Sequence, residues 1–535
     1  MVSLKILRSV ISSGLRPTQS SSTAMESMAF TEKAPSMVNA VLRGVTWTTL
    51  GRGFDRITDL IRYVVLARLL DFEELGSFGI VALVGMGFQA LTYTGFRQAL
   101  IRRTEDPRPL YDTTFTIEMI RGFLLAGITV VAAPYLAWYL NAPISGLLQA
   151  ESLTMIFFGA VSIGTIEFDR NLDFHKNVLM TRTASIVSLI VGIVLAFALK
   201  NAWALVIADL ARAGLTMVLS YYLHPYRPRL QFNRAYASEL FTFGRWLTVN
   251  AIGLFMLQQF DSLFLAMRLG PTALAPYQMA YRLAMFPINS LREVIYTVTL
   301  PVFSRIIDDP IRMGRAYSQI YLVLITIVMP GAVLVACYAN ELLFFALGPE
   351  WMPAVPIVRV LCILGMLQVF TCTIEPVFQS LGTPHFATIS QYSQMAVLIP
   401  LVWALTDNFG AMGAAIGATV AGVVPAIILL ALLVRRIPTI AAPMITSSLG
   451  IVLPTVMLIA TSLFVRSVMP GLPQSAATFS LPWLYSLALT SLGVMMSLAS
   501  FAVALFVMES LMPIGVRKVI TQIRTSLRRQ PAPET

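Results

Sequence analysis

About fourteen apolar stretches, each long enough to cross a bilayer, follow one another along this chain with only short connections between them. In hydrocarbon every backbone polar group must be paired internally, so such a chain folds as a bundle of helices or a closed barrel. A barrel would show short alternating segments, and the uninterrupted run from Ile186 to Leu199 argues against one. Of 535 residues, 57% are hydrophobic and 12% charged, a balance that excludes a soluble domain. The expected fold class is therefore an all-α polytopic membrane protein. The expected spans are 45–69, 77–100, 113–139, 147–167, 178–199, 202–223, 242–268, 273–301, 317–345, 355–381, 387–406, 411–434, 443–465 and 479–508.

The net charge of +11 is distributed in a way that separates topology from function. Arg102, Arg103 and Arg108, Arg170 and Lys176, Arg227, Arg229 and Arg234, Arg305, Arg312 and Arg315, and Arg435 and Arg436 fall in one alternating set of connections. The opposite set holds only Lys200, Arg268 and Arg466, with Arg68 at a boundary. This positive-inside bias places both termini in the cytoplasm and removes the need for a nucleic-acid partner. Cys337, Cys362 and Cys372 lie in apolar segments and read as small core hydrophobes. His175, His224 and His385 lack metal-ligand spacing, so no metal site and no catalytic residue is expected.

Residues 1–38 are Ser-rich and read as a disordered cytoplasmic tail, with a transit peptide, or a true start at Met25 or Met28, as the alternatives. The longest connection, 224–240, is polar and falls midway through the first twelve spans. It reads as a cytoplasmic linker between an N-terminal six-helix lobe at 39–223 and a C-terminal one at 241–437. Two further spans occupy 438–508. The tail 509–535 places Val516, Ile520, Ile523 and Leu527 on one helix face with arginines elsewhere, which suits the surface of membrane lipids. A faint repeat at an offset of 199 aligns Leu66, Ala67, Leu70, Leu75 and Phe78 with Leu265, Ala266, Leu269, Leu274 and Tyr277. Repeats in the same direction imply a pseudo-twofold axis along the membrane normal.

Charges at membrane depth are expensive and normally face a bundle interior or a wet cavity. Arg52, Asp55, Arg56, Asp59 and Arg62 share an arc of about 120° on the first span. On the eighth, Tyr281, Arg282, Asn289, Arg292, Glu293 and Tyr296 share another face. Gln89, Tyr93 and Arg97 follow at intervals of four on the second span. Asn250 and Asp261 nearly eclipse on the seventh, and Gln368, Glu375 and Gln379 stack on the tenth. Some of these groups simply neutralise each other: Arg121 with Glu118 and Arg212 with Asp209 have i, i+3 spacing, and Arg52 with Asp55 or Asp59, and Arg56 with Asp59, have spacings that allow the same along the helix. On the first and eighth spans, however, cations outnumber their carboxylates. Arg52, Arg56, Arg62, Arg282 and Arg292, with Asn289, are therefore the expected substrate-binding residues of a transporter for a polar, anionic group. Asp55, Asp59, Asp261 and Glu375 are the expected ion-coupling carboxylates, for H⁺ or Na⁺, with no other cofactor.

Several stretches in order resemble the Wzx-type polysaccharide flippases of the multidrug/oligosaccharidyl-lipid/polysaccharide superfamily. They are Leu66-Ala67-Arg68-Leu69-Leu70 with Glu74-Leu75-Gly76-Ser77-Phe78-Gly79, Arg170 to Lys176, and Phe243-Gly244-Arg245-Trp246. Tyr281-Arg282-Leu283 with Pro287, Leu300-Pro301-Val302-Phe303-Ser304-Arg305 with Asp308-Asp309, and Leu347-Gly348-Pro349-Glu350-Trp351 complete the set. The resemblance covers about residues 40 to 440. It implies two six-helix lobes in a V around a central cavity, lined by spans one, two, seven and eight. It also implies passage of an undecaprenyl-pyrophosphate-linked oligosaccharide across the bacterial inner membrane for exopolysaccharide, capsule or O-antigen synthesis, with a polymerase and a chain-length regulator as partners. A lipid II flippase is an open alternative. A cation-coupled drug exporter of the same superfamily would want an acidic, aromatic cavity, and cations dominate here. A glycosyltransferase or polymerase would want a large outward loop, so no enzyme is expected.

Overall fold

The computed structural model describes residues 58, 61–103, 105–171, 173–307, 309–468 and 481–511. Arg52, Asp55, Arg56, Asp59, the tail at 1–38 and all but the start of the tail at 509–535 lie outside them. Among the described residues the chain is almost wholly helical, with no β-strand. Helix α1 covers 61–69, followed by α2 (Phe72–Leu91), α3 (Phe96–Arg102), α4 (Arg108–Tyr139), α5 (Ser145–Gly159), α6 (Ile166–Arg170), α7 (Phe174–Leu199) and α8 (Trp203–Leu223). Then come α9 (Arg234–Leu269), α10 (Pro271–Arg305), α11 (Pro310–Cys337), α12 (Ala339–Ala346), α13 (Val355–Ser380), α14 (His385–Arg436), α15 (Ala441–Val468) and α16 (Leu481–Leu511). Ten helical segments among the described residues are long and apolar enough to cross a membrane. The count is eleven if α5 and the Ile163–Arg170 piece, bent by 66°, form one broken span.

Several expected spans take a different form. The fourth, expected at 147–167, is that bent pair. The eighth, expected at 273–301, falls on α10, which is long enough but not apolar enough to qualify. The eleventh and twelfth join in α14 across Gly410, whose φ of 60° breaks the helical path. The second, expected at 77–100, ends at Leu91. Thr92, Tyr93 and Thr94 leave the helix, and Gly95 turns the chain with φ 64° before α3 begins. Gln89, Tyr93 and Arg97 therefore do not share one helix face.

The chain packs as two compact units. Within the described residues, one contains everything up to Met279 together with Ile399–Ala414. The other contains Ala280–Leu398 and the remainder from Ala415. This division by packing falls inside α10 rather than at the 224–240 linker, because α9 packs against α2, α3 and α4.

In the first unit, α5 lies against α4 and α8, and α7 against α8. Helices α4 and α5 approach closely because glycines face backbone: a Cβ on Gly122 would stand 2.7 Å from the Met155 carbonyl oxygen, and one on Gly159 2.6 Å from that of Glu118. Glu74 accepts from the Ala202 N–H at 2.6 Å, capping the head of α8. Asn233 caps α9 through the N–H groups of Ala235 and Tyr236. The segment before it is bound to α4: the Tyr226 hydroxyl and Arg229 N–H both donate to Asp112, and Thr116 donates to Gln231 O. Burial pushes the Tyr226 phenol up, and donation to Asp112 adds to the shift. Nine of the ten positions of the 199-residue repeat are buried in this unit, Leu269 being the exposed one. The same offset relates Phe72 to Pro271, the first residues of α2 and α10.

In the second unit, α11 packs against α13 and α15, and α15 against α16. Hydroxyl pairs bind these apolar helices together: Tyr317 with Thr373, Tyr321 with Ser448, and Tyr338 with Ser497, which also receives Ser462. Asp309 caps α11, with Pro310 at its first position.

Candidate functional site

In the first unit the membrane-depth charges meet across helices. Arg62 of α1 donates through Nη1 to Asp209 Oδ1 of α8 at 3.1 Å, with both side chains nearly buried. On α7, a Cβ at Gly192 would stand 3.2 Å from the Ala208 Cβ of α8, so this glycine lets the two helices lie close together. Arg212, the expected i, i+3 partner of Asp209, is farther away at 3.6 Å and more exposed. The cross-helix contact is the shorter one because Arg62 is buried against Asp209, whereas Arg212 keeps much of its solvation.

Sequence spacing identified the Glu118–Arg121 pair, whose ions lie 2.7 Å apart, but not its wider role. Thr94 donates to Glu118, while Arg121 donates to Thr92 O, and Thr248 of α9 donates to Tyr93 O. The backbone freed where α2 breaks is thus filled by protein donors and acceptors. Arg97, beyond the break, pairs with Asp169 of α6 at 2.6 Å.

Asp261 of α9 is buried. It accepts from the Tyr277 hydroxyl through one oxygen and from the Ser262 N–H at 2.7 Å through the other. Among the described residues it has no ion-pair contact. Arg268 instead meets Asp407 at 3.5 Å, over the rings of Phe264 and Trp403.

In the second unit, Arg282, Asn289 and Arg292 lie along α10. Arg282 is exposed, Asn289 and Arg292 are half-buried. Arg292 reaches Glu375 of α13 at a loose 3.8 Å, and Gln391 of α14 donates to the other Glu375 oxygen at 3.4 Å. Arg359 is turned to the end of α11, donating to Ala336 O and Asn340. Two charged groups escaped sequence reasoning. Glu151, in the fourth apolar stretch, lies on α5 facing the Asp209 cluster; its signal was a lone carboxylate within an apolar run. Glu341 is buried under Arg466, 2.8 Å away. Among the described residues no group of acidic, histidine or cysteine side chains could hold a metal.

Residues 65–356 match the model of a family described as polysaccharide biosynthesis protein, which is more than half of the chain. The chain belongs to this family. It is 22% identical over 62% of its length to the lipopolysaccharide biosynthesis protein WzxC of Escherichia coli, covering 68% of that protein. It is 25% identical over 64% of its length to the succinoglycan biosynthesis transport protein ExoT of Rhizobium meliloti, covering 70% of it. Among solved structures, the lipid II flippase MurJ in an inward closed conformation superposes with a TM-score of 0.65 at 15% identity, over 86% of this chain and all of that one. That likeness shows the fold. Family and fold together make this a multi-pass membrane transporter of polysaccharide biosynthesis and not an enzyme.

Proposed function

We propose that the chain flips an undecaprenyl-pyrophosphate-linked oligosaccharide from the inner to the outer leaflet of a bacterial inner membrane by alternating access, with both termini cytoplasmic. The observation that carries this reading is α10. It is a 35-residue helix inside the family-matched region, too polar to face lipid all round, and it presents an exposed Arg282 and a loosely paired Arg292. A helix of that kind needs water or an anionic guest beside it. A pyrophosphate needs several donors to replace lost hydration, and guanidinium forks supply them bidentately. Arg282, Arg292 and Asn289 are the binding groups we assign from the described residues, together with Arg52, Arg56 and Arg62 of the first span. The family match favours a polysaccharide precursor over lipid II, because the likeness to MurJ extends to the fold alone.

The test is reconstitution. Proteoliposomes carrying undecaprenyl-pyrophosphate oligosaccharide in the inner leaflet should expose sugar to an external, membrane-impermeant lectin only when the protein is present. Equal exposure in protein-free vesicles, or transfer of lipid II in preference to the oligosaccharide, overturns the proposal.

A further inference from the structure

At one end of the second unit, arginines collect with almost no carboxylate to neutralise them. Arg305 ends α10, Arg312 and Arg315 stand in the first two turns of α11, and Arg435 and Arg436 end α14. Packing brings these ends together. The 3₁₀ turn Pro438–Ile440, just after α14, lies against α11, where a Cβ on Gly314 would stand 2.9 Å from Thr439 Oγ1. The Arg436 guanidinium lies 5.8 Å from the centre of the Phe386 ring, so the start of α14 returns to its end. All five arginines are exposed. Among the described residues the only carboxylate that contacts any of them is Asp309, which caps α11 and meets Arg312 at 3.1 Å. The positive-inside bias explains the sign of this charge but not its lack of partners. In the first unit, connections with the same bias pair Arg103 with Glu105 and Glu239, Arg108 with Glu167, and Lys176 with Asp173.

We propose that this end of the second unit is a docking surface for the phosphate headgroups of anionic phospholipids. Its level suits headgroups, because Ile311 opens one apolar span and Arg436 closes another. Ile307 and Ile311 are exposed beside Arg305 and Arg312, so the patch borders apolar surface where acyl chains begin. Guanidinium forks match phosphate oxygens in pairs. Each arginine near a membrane surface strengthens the attraction to anionic lipid by about fivefold. The arginines are spread over three helix ends and outnumber the phosphates of a single diphosphate, so they suit several lipid phosphates side by side. The surface holds the second unit against its leaflet whatever the protein carries, and it does not rest on the flippase reading.

The experiment needs no transport substrate. Native mass spectra of the purified full-length protein, titrated with phosphatidylglycerol or with phosphatidylcholine, read lipid retention directly. The protein should retain phosphatidylglycerol in preference to phosphatidylcholine. An Arg315→Gln, Arg435→Gln double variant removes two exposed guanidiniums that have no carboxylate partner among the described residues, and should weaken that retention by about 30-fold. An Arg229→Gln, Arg234→Gln double variant removes two exposed arginines of the first unit and should leave retention nearly unchanged. Inorganic pyrophosphate added at the lipid concentration should leave the lipid bound. Equal retention of the two lipids, unchanged retention in the Arg315→Gln, Arg435→Gln variant, an equal loss in the Arg229→Gln, Arg234→Gln variant, or displacement of the lipid by pyrophosphate overturns the proposal.

Discussion

Arg466 donates its Nε–H to Glu341 at 2.8 Å and an Nη1 hydrogen to Cys337 O at 3.1 Å, fastening the end of α15 to the junction of α11 and α12. Glu341 is buried, so removing the guanidinium strands a carboxylate there. Arg466→Ala should lower thermal stability in detergent by about 1.5–3 kcal/mol, the range for hydrogen bonds to charged groups. Restoring much of that loss in an Arg466→Met, Glu341→Leu double variant would identify desolvation as the cause; equal stability of Arg466→Ala and the unaltered protein would show that the contact contributes nothing.

The close crossing of α4 and α5 gives a second prediction. Gly159→Ala puts a Cβ 2.6 Å from a carbonyl oxygen and should cost about 1–3 kcal/mol as the helices separate. On α4, Gly127→Ala meets nothing within 4 Å and should leave the unfolding temperature unchanged or slightly raised. Equal melting of the two variants would show that backbone contact does not set this crossing.

For the proposed substrate site, each charge-assisted bond to arginine contributes about 1.5–3 kcal/mol, so losing one weakens binding by roughly 10- to 150-fold. Arg282→Ala should cripple polysaccharide export while protein abundance in the membrane stays normal. Arg282→Lys should recover export only partly, because an ammonium lacks the fork. Full export from an Arg52→Ala, Arg282→Ala double variant would leave these arginines as structural.

Orientation is tested by reporters active only outside the cytoplasm. Fusions in the 224–240 linker, at Arg234, and at the C-terminus should both stay silent, as the arginine bias requires. A strong signal at either site would invert the topology.

Coupling is tested with gradients. If an inward H⁺ or Na⁺ gradient drives export through Asp55, Asp59, Asp261 or Glu375, collapsing both should stop net accumulation of flipped sugar in proteoliposomes. Unchanged accumulation would remove all four from that role.

Helices were readable from the sequence because apolar length alone dictates them. What interrupts them was not. Within Leu91 to Leu100, Thr92, Thr94 and Gly95 hint at a turn, but nothing local announces that Arg121, Glu118 and Thr248, from two other helices, supply the bonds that stabilise a break at Thr92–Gly95. Spacing along one helix gives the Asp209–Arg212 pair, which forms at 3.6 Å, but only packing brings in the closer partner Arg62 at 3.1 Å. Glu151 belongs to no face with several charges, yet a single carboxylate at membrane depth is equally costly. Arg52, Arg56, Asp55 and Asp59, four of the five residues of the first-span stripe, lie outside the described residues and stay an expectation.

The return of residues 399–414 to the first unit has a consequence for biogenesis. Trp403 and Asp407 reach Phe264 and Arg268 only after α10, α11, α12 and α13 have been synthesised. The ribosome thus delivers the last piece of the earlier unit in the midst of the later one. Until then α9 must wait in the bilayer with its Arg268 end uncovered. Folding cannot proceed strictly from the amino end, and a chain truncated before Trp403 would offer quality-control proteases an unfinished surface in a segment that had already been inserted.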